Sequence, residues 1–356
     1  MGSLETDNSA VSTAVRTHSK EESMKSALVG CGRIAKTHAE VLAQMPGVEV
    51  IACVDTVRDR ASGMANSFKA VVYTDYQQML CRERPDVVHL CTPHHLHVDM
   101  AIAALERGVH VLMEKPAAIT PESFDRLLLA QEHSAAAIGV CFQNRYNATT
   151  RHLANRLASG ELGKVLGARC VVTWQRGADY YADEWHGRAA TEGGGVLINQ
   201  AIHSMDLLVH LLGPASTVQA SMHNRHLQGL IEVEDTLEAY LEFDSRPVLF
   251  YASLAYCVDA PVMLEVICEQ ATCVLQGEQL SIHHNDGSSE IVHNAKMGSS
   301  GKTYWGTGHK LCIEDYYMAL AQERLFPITP RDIKSTMDLV FACYQSAQSG
   351  KKVSLN

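Results

Sequence analysis

No Cys-x-x-Cys pair occurs anywhere in the 356 residues, although there are 11 cysteines. An odd count with no framework spacing argues against a disulfide scaffold and for a reducing, cytoplasmic location. Cys31, Cys53, Cys91 and Cys141 lie in apolar runs or beside glycines, as buried thiols do. No apolar run approaches the length of a membrane span, so no membrane association is expected. Positive charge is in short supply: 30 Lys and Arg stand against 40 Asp and Glu, a net charge of −10. That balance excludes a general affinity for nucleic acid or an anionic membrane surface. Internal repeats and low-complexity blocks are absent too. The first 23 residues carry no apolar signal core, which excludes a secretory peptide. Being polar and rich in small residues, they read as a disordered leader over 1–23, native or not.

What is present is ordinary for a globular chain, with 46% hydrophobic and 20% charged residues, and the length suits two domains. From Lys25 to about Arg145, short apolar runs (KSALV, VEVIACV, AVVY, DVVHLC, VHVLM, AAIGVCF) alternate with helical spacing such as IAKTHAEVLAQM and PESFDRLLLAQEHS. Near-continuous apolar strands between helices imply a doubly wound parallel sheet, a Rossmann-type α/β domain over 24–146. After Arg145 the pattern changes. A helix leads to VLGARCVVTW, an irregular loop and a long apolar helix. From about Val218 strand follows strand, and alternation in DTLEAYLEF predicts one wet face. Residues 147–356 therefore read as an α+β domain with a large, mainly antiparallel open sheet, closed by a helix over 330–348. The stretch 299–303 reads as a mobile loop.

The segment Gly30-Cys31-Gly32-Arg33-Ile34-Ala35 is a GxGxxA after a strand and before a helix. The first glycine allows a tight turn, the second lets a pyrophosphate approach the helix N-terminus, and Ala35 permits close packing. Gly30, Gly32, Arg33 and Ile34 are candidate cofactor contacts. A glycine-rich turn of another α/β fold is the rival reading. Asp55, ending VEVIACVD, stands where a carboxylate accepts from an adenosine ribose, which favours NAD over NADP; Arg58 blurs that choice. Asp55 also suits an N-cap of the next helix.

Ligands of such folds bind beyond the carboxyl ends of the strands. Cys91, Thr92, Pro93 and His97 sit at one such end, and Glu114 and Lys115 at another; all are candidate cofactor contacts. Pro116 holds Lys115 away from helical geometry, in a bond open to either isomer. A surface Lys115 pairing with Glu114 is the plain alternative. His94, His95 and His97 invite a metal, but no cysteine or acidic partner has matching spacing, so no metal is expected. On the helix Gly193–Pro214, Asn199, His203, Asp206 and His210 fall at i, i+4, i+7 and i+11, a stripe about 60° wide on an otherwise apolar helix. Asp206 and His210 are expected in a core network. Asn199 and His203, nearest the glycines, are candidate site residues.

GCGRIA, the Asp55 strand end, TPHHLH, EKP, FQNRY and GGGVLINQAIHSMD, with the closing PITPRDIKSTMDLVFACYQSAQSGKKV, resemble the glucose–fructose oxidoreductase/inositol dehydrogenase (Gfo/Idh/MocA) family from about Met24 to Val353. The resemblance implies a Rossmann domain joined to a large open sheet that supports dimers or tetramers. It also implies oxidation or reduction of a sugar or cyclitol hydroxyl with NAD(P). The family's lysine matches Lys115 and its histidine His203. Its aspartate is Asn199 here, and an amide cannot relay a proton as a carboxylate does. The departure makes His203 the preferred base, with a pKa near working pH, and gives Asn199 a substrate hydroxyl to fix. Gln143 is a candidate nicotinamide contact. Arg145, Tyr146, Arg176, Tyr180, Trp185, His186 and His309 are candidate substrate contacts; rings that merely anchor the loop are an equal reading.

The expected activity is an NAD-dependent dehydrogenase of a sugar, glycoside or cyclitol, with ring C3 as the position. The rivals are a glycosidase using transient oxidation and elimination, a noncatalytic NAD or sugar sensor, and a reductase of a keto-sugar or imine.

Overall fold

The computed structural model describes residues 23–294 and 308–355. Most of the expected leader and the whole 299–303 stretch lie outside the described residues. Six strands, β1 (Met24–Val29), β2 (Val48–Val54), β3 (Val71–Tyr73), β4 (Val87–Leu90), β5 (His110–Met113) and β6 (Ile138–Val140), form one sheet in the order 3-2-1-4-5-6. Every pairing in it is parallel. Helices α1 (Arg33–Leu42), α2 (Arg58–Ala65), α3 (Tyr76–Glu83), α4 (His97–Leu105) and α5 (Pro121–His133) make the crossovers. Helices on both faces explain why Val87–Leu90 is buried at every position and shows no alternation. The order reverses between β1 and β4, and the glycine turn and the TPHH turn both open onto that point.

Helix α6 (Ala148–Ala158) leads to the second sheet, which has nine strands. These are β7 (Val165–Thr173), β8 (Thr217–His223), β9 (Thr236–Phe243), β10 (Arg246–Ser253), β11 (Met263–Cys268), β12 (Ala271–Gln276), β13 (Gln279–His284), β14 (Ser289–His293) and β15 (Val353–Ser354). Their order is 14-13-12-11-7-10-9-8-15, antiparallel except where β10 runs parallel to β7. Between β7 and β8 come a short turn of helix α7 (Ala189–Glu192), a π-helical turn Val196–Ala201 and α8 (Ile202–Leu212). The expected single α-helix over 193–214 is thus broken. Gly195, at the break, lies against the Glu234 backbone: a Cβ there would overlap the Glu234 carbonyl, so the position requires glycine. The stretch Ala189–Leu212 is long and apolar enough to span a membrane, yet 83% of its most apolar window is buried inside the protein.

Helices α9 (Gly308–Ala321) and α10 (Lys334–Ser349) finish the chain. The closing helix begins at Lys334, not 330, because Pro330 lies inside a turn in which Thr329 N–H and Oγ1 donate to Asp332. Helix α9 returns to the first sheet. Tyr316 Oη donates to the Val111 carbonyl at 2.8 Å, and Val140 N–H donates to the Ile328 carbonyl at 2.8 Å. Residues 308–328 therefore complete the first sheet's packing although they follow the second sheet in sequence.

Candidate active site

The glycine turn is built by close approach. Gly30 has φ +83, and a Cβ there would lie 2.6 Å from the Cys91 carbonyl oxygen and 2.9 Å from Thr92 N. Only glycine lets the two turns meet. A Cβ at Gly32 would meet nothing within 4 Å, and no side chain caps the start of α1, so that helix end faces open space. Arg33 is exposed, and its Cζ stands 5.5 Å from the centre of the Tyr180 ring. Asp55 Oδ2 accepts from Cys31 N–H at 2.9 Å and Oδ1 from Val57 N–H at 2.9 Å. It is not the N-cap of α2: Val57 holds that position, with no side-chain cap. Arg58, the first residue of α2, is exposed.

At the next strand ends two turns are tied together. His97 Nδ1 lies 2.8 Å from the Pro116 carbonyl and Nε2 2.9 Å from the Thr92 carbonyl. His94 Nδ1 donates to the Glu192 carbonyl at 2.9 Å, and His95 Nδ1 to that of Thr191 at 3.3 Å. The histidine run is a set of braces, two of which reach into the second half of the chain. Burial holds His94 and His97 below the ordinary imidazole range. Thr92 Oγ1 and Gln143 Oε1 are buried and have no protein partner.

The Lys115–Pro116 bond is cis. Lys115 Nζ donates to the Asn199 carbonyl at 2.8 Å and to Asn199 Oδ1 at 3.2 Å, joining the end of β5 to the π-helical turn. Burial lowers the Lys115 pKa, against the opposing pull of Glu114 and Glu192. Asn199 Nδ2 donates to Tyr180 Oη at 3.0 Å and to Glu192 Oε1. The amide is left with one Oδ1 lone pair for a substrate hydroxyl.

Glu234 organises the turn that carries Asn199. Its carboxylate accepts from Gly195 N–H (2.9 Å), Leu197 N–H (3.1 Å) and Tyr344 Oη (2.9 Å), satisfying donors that a helix start leaves open. His203 is half-buried one turn on, its ring 5.8 Å from that of Phe142, and its Nδ1 is buried without a partner. Burial and the Lys115 charge take its pKa down to about 3. In place of the expected imidazole titrating near working pH, the site holds one that burial and Lys115 keep neutral there. Asp206 is in a core network as expected: Arg145 grips it from Nε (2.8 Å) and Nη2 (2.5 Å), and Thr336 Oγ1 donates at 2.9 Å. His210 is not; it stands exposed near the end of α8. The π-helical turn interrupts the regular α spacing between Asn199 and His203, although Lys115 is close to both.

Other candidates have protein partners of their own. Tyr146 Oη donates to Asp315 at 2.5 Å. Arg176 donates to Asp259 at 2.8 Å and stacks 5.2 Å from the Trp174 and Tyr180 rings. Trp185 packs on His94 (4.8 Å) and His186 (3.7 Å), while His186 Nδ1 bonds Asp183 at 2.6 Å. His309 turns to Glu114, with Nε2 3.4 Å from Oε1. Glu114 also meets His38 Nε2 at 3.1 Å, and a buried chain continues through His89 (2.8 Å) and Tyr317 (2.8 Å) to Ser26 (2.6 Å). His38, Glu114 and Cys141 offer ligand atoms within 4.8 Å of one another, but His38 and Glu114 already satisfy each other. Glu192, His38 and Glu234 escaped sequence reading. Only Glu192 left a trace, as the charge preceding GGG.

The open helix end, the glycine cradle and the unpartnered Thr92 and Gln143 oxygens fit a dinucleotide lying across the switch point, its far end reaching Lys115. A nucleotide-binding sheet whose strand end offers a lysine to a polar turn from a second sheet defines a class, the two-domain nicotinamide oxidoreductases. Residues 24–142 match the model of the GFO/IDH/MocA oxidoreductase family, NAD-binding Rossmann fold, and 150–274 that of the GFO/IDH/MocA C-terminal domain. Together these cover more than half of the chain, which belongs to this family. It is similar to D-glucoside 3-dehydrogenase of Escherichia coli K12, 28% identical over 64% of this chain and 69% of that one. It also resembles inositol 2-dehydrogenase of Salmonella typhimurium, 33% identical over 40% of this chain and 44% of the relative. Among solved structures, the WlbA dehydrogenase of Chromobacterium violaceum, in complex with NADH and UDP-GlcNAcA, superposes with a TM-score of 0.84. The two are 28% identical, with 96% of this chain and 99% of that one covered.

Proposed function

We propose that the chain takes a hydride from a secondary hydroxyl of a sugar, glycoside or cyclitol, at ring C3, with NAD as acceptor. One observation carries the reading: Lys115 Nζ, at the carboxyl end of the nucleotide-binding sheet, meets Asn199 of the second sheet's buried helix. The names of the two enzyme relatives support the substrate class, and that of the glucoside dehydrogenase supports C3.

Gly30, Gly32, Arg33 and Ile34 would hold the pyrophosphate of NAD, and Asp55, beside Arg58, its ribose; the Asp55 carboxylate would oppose a 2′-phosphate. Cys91, Thr92, Pro93, His97, Glu114 and Gln143 line the path to Lys115. Bound NAD supplies the hydride acceptor. Lys115 rests as an ammonium; the hydroxyl proton goes to the fraction that carries the neutral amine, a fraction that burial enlarges. His203, held neutral, accepts a hydrogen bond and orients the hydroxyl. Asn199 fixes Lys115 and keeps a lone pair for the substrate. Tyr180, Trp185 and His186 cover the sugar, while Arg145, Tyr146, Arg176 and His309 hold the walls.

Self-association uses the outer face of the second sheet. Leu249 (60% exposed) lies opposite Tyr240 (41%) and beside Arg169 on that open sheet.

The test is incubation with NAD and a library of sugars, cyclitols and glycosides, following NADH absorbance and aglycone release together. NADH formation is expected. Aglycone without NADH would replace this reading by the glycosidase, and NAD binding without turnover by the sensor.

A further inference from the structure

Asn199 stands between a cation and a carboxylate. Its Oδ1 faces Lys115 Nζ at 3.2 Å and its Nδ2 faces Glu192 Oε1. The opposite amide orientation would set N–H against the ammonium and C=O against the carboxylate, two repulsive contacts. Glu192 is 1% exposed and firmly placed: Gly187 N–H donates to Oε2, and His94 donates to its backbone carbonyl at 2.9 Å. A carboxylate this deep needs compensating charge as well as hydrogen bonds, and the cation facing it is Lys115.

We propose that Glu192 is the positioning carboxylate of this site: it turns Asn199 Oδ1 onto Lys115 and supplies the negative charge that an amide at 199 lacks. The inference deepens the dehydrogenase reading and rests on it for Lys115 being the reacting group. Glu192 lies on the turn before GGG, Asn199 on the π-helical turn after it. The three glycines let the chain double back, so one carboxylate serves a residue seven positions on. The groups facing Glu192 are Lys115, Glu234, Tyr180, Tyr181, Tyr344 and, through its backbone, His94. Glu234 repels it but is itself held by two N–H groups and Tyr344. Burial pushes the Glu192 carboxyl up to about 7, so near neutrality its charge, and with it the basicity of Lys115, responds to small changes. Glu192 does not touch the reacting atoms; it acts through Asn199 and Lys115.

The experiment needs neither NAD nor sugar. Lysine trinitrophenylation by trinitrobenzenesulfonate, in which the neutral amine displaces sulfite from the ring, is followed peptide by peptide by mass spectrometry from about pH 6 to about pH 11, with Lys334, whose side chain is 53% exposed, as internal reference. Glu192→Gln is expected to move the Lys115 midpoint to lower pH by about one unit and to leave Lys334 unmoved. Glu192→Ser, which removes the charge with less crowding, is read in parallel. Adding Asn199→Asp to Glu192→Gln is expected to return the midpoint to its wild-type value. An unmoved Lys115 midpoint in the folded single variants, or no return in the double variant, overturns the proposal. If labelling behaves as stated while no sugar or cyclitol reduces NAD, the dehydrogenase reading fails and the role of Glu192 stands.

Discussion

Two buried carboxyl groups flank Lys115, one from each half of the molecule, and their surroundings drive them in opposite directions. Glu114 ends β5. Burial alone would push it up, but His309 at 3.4 Å and His38 at 3.1 Å outweigh it and hold it well below the usual carboxylate range. Glu192 meets a backbone N–H and an amide instead; burial wins and raises it to about 7. The depth is similar. The difference lies in whether the donors can carry positive charge. Glu114 is thereby a fixed anion, and Glu192 one that titrates.

The largest expected effect concerns the lysine both groups share. Lys115→Met is expected to cut turnover at least about 10³-fold, with NAD affinity within a few-fold; unchanged turnover in stopped-flow NADH assays would remove Lys115 from the chemistry. Next is Glu114→Gln, which leaves His38 and His309 without their anion and should cost about 4 kcal/mol in urea unfolding at pH 7. Since the folded pKa of Glu114 is depressed, its contribution is present above the unfolded value and lost as pH falls through that range. The difference between variant and wild type should therefore shrink in acid.

Glu192 carries the opposite sign. Its folded pKa is raised from 4.5 to about 7, so stability is greatest below 4.5 and declines as pH rises to about 7. Glu192→Gln should remove that decline, worth at most ~3 kcal/mol, and gain relative to wild type at pH 8 but not at pH 4.5. Parallel pH dependences for the two Gln variants would erase the contrast. Smallest is Asp55→Ala, which frees the Cys31 and Val57 N–H groups and removes the ribose acceptor. NAD binding by calorimetry should weaken by about tenfold, roughly 1.4 kcal/mol, while NADP weakens less.

The site was legible where chemistry follows chain order. GxGxxA after an apolar run, Asp55 at the next strand end and Lys115 before a proline are local patterns, because a strand, a tight turn and a helix N-terminus each need particular residues within a few positions. The first sheet was readable for the same reason. The second sheet's strands were readable from alternation, but not the parallel placing of β10 beside β7, nor the return of α9 to the first sheet. A helical period marked Asn199 and His203 and could not foresee the π-helical turn, since the Glu234 carboxylate that takes the Gly195 and Leu197 N–H groups comes from far along the chain.

By itself the sequence determined the fold family, the dinucleotide turn and the lysine just beyond β5, all set by backbone sterics over short spans. Tertiary structure alone decided which charges face one another. Glu192 comes to compensate Lys115, His203 is held neutral, and Arg145 is taken by Asp206. The strength of a charge depends on its burial and on partners distant in sequence, and neither is written in residue order.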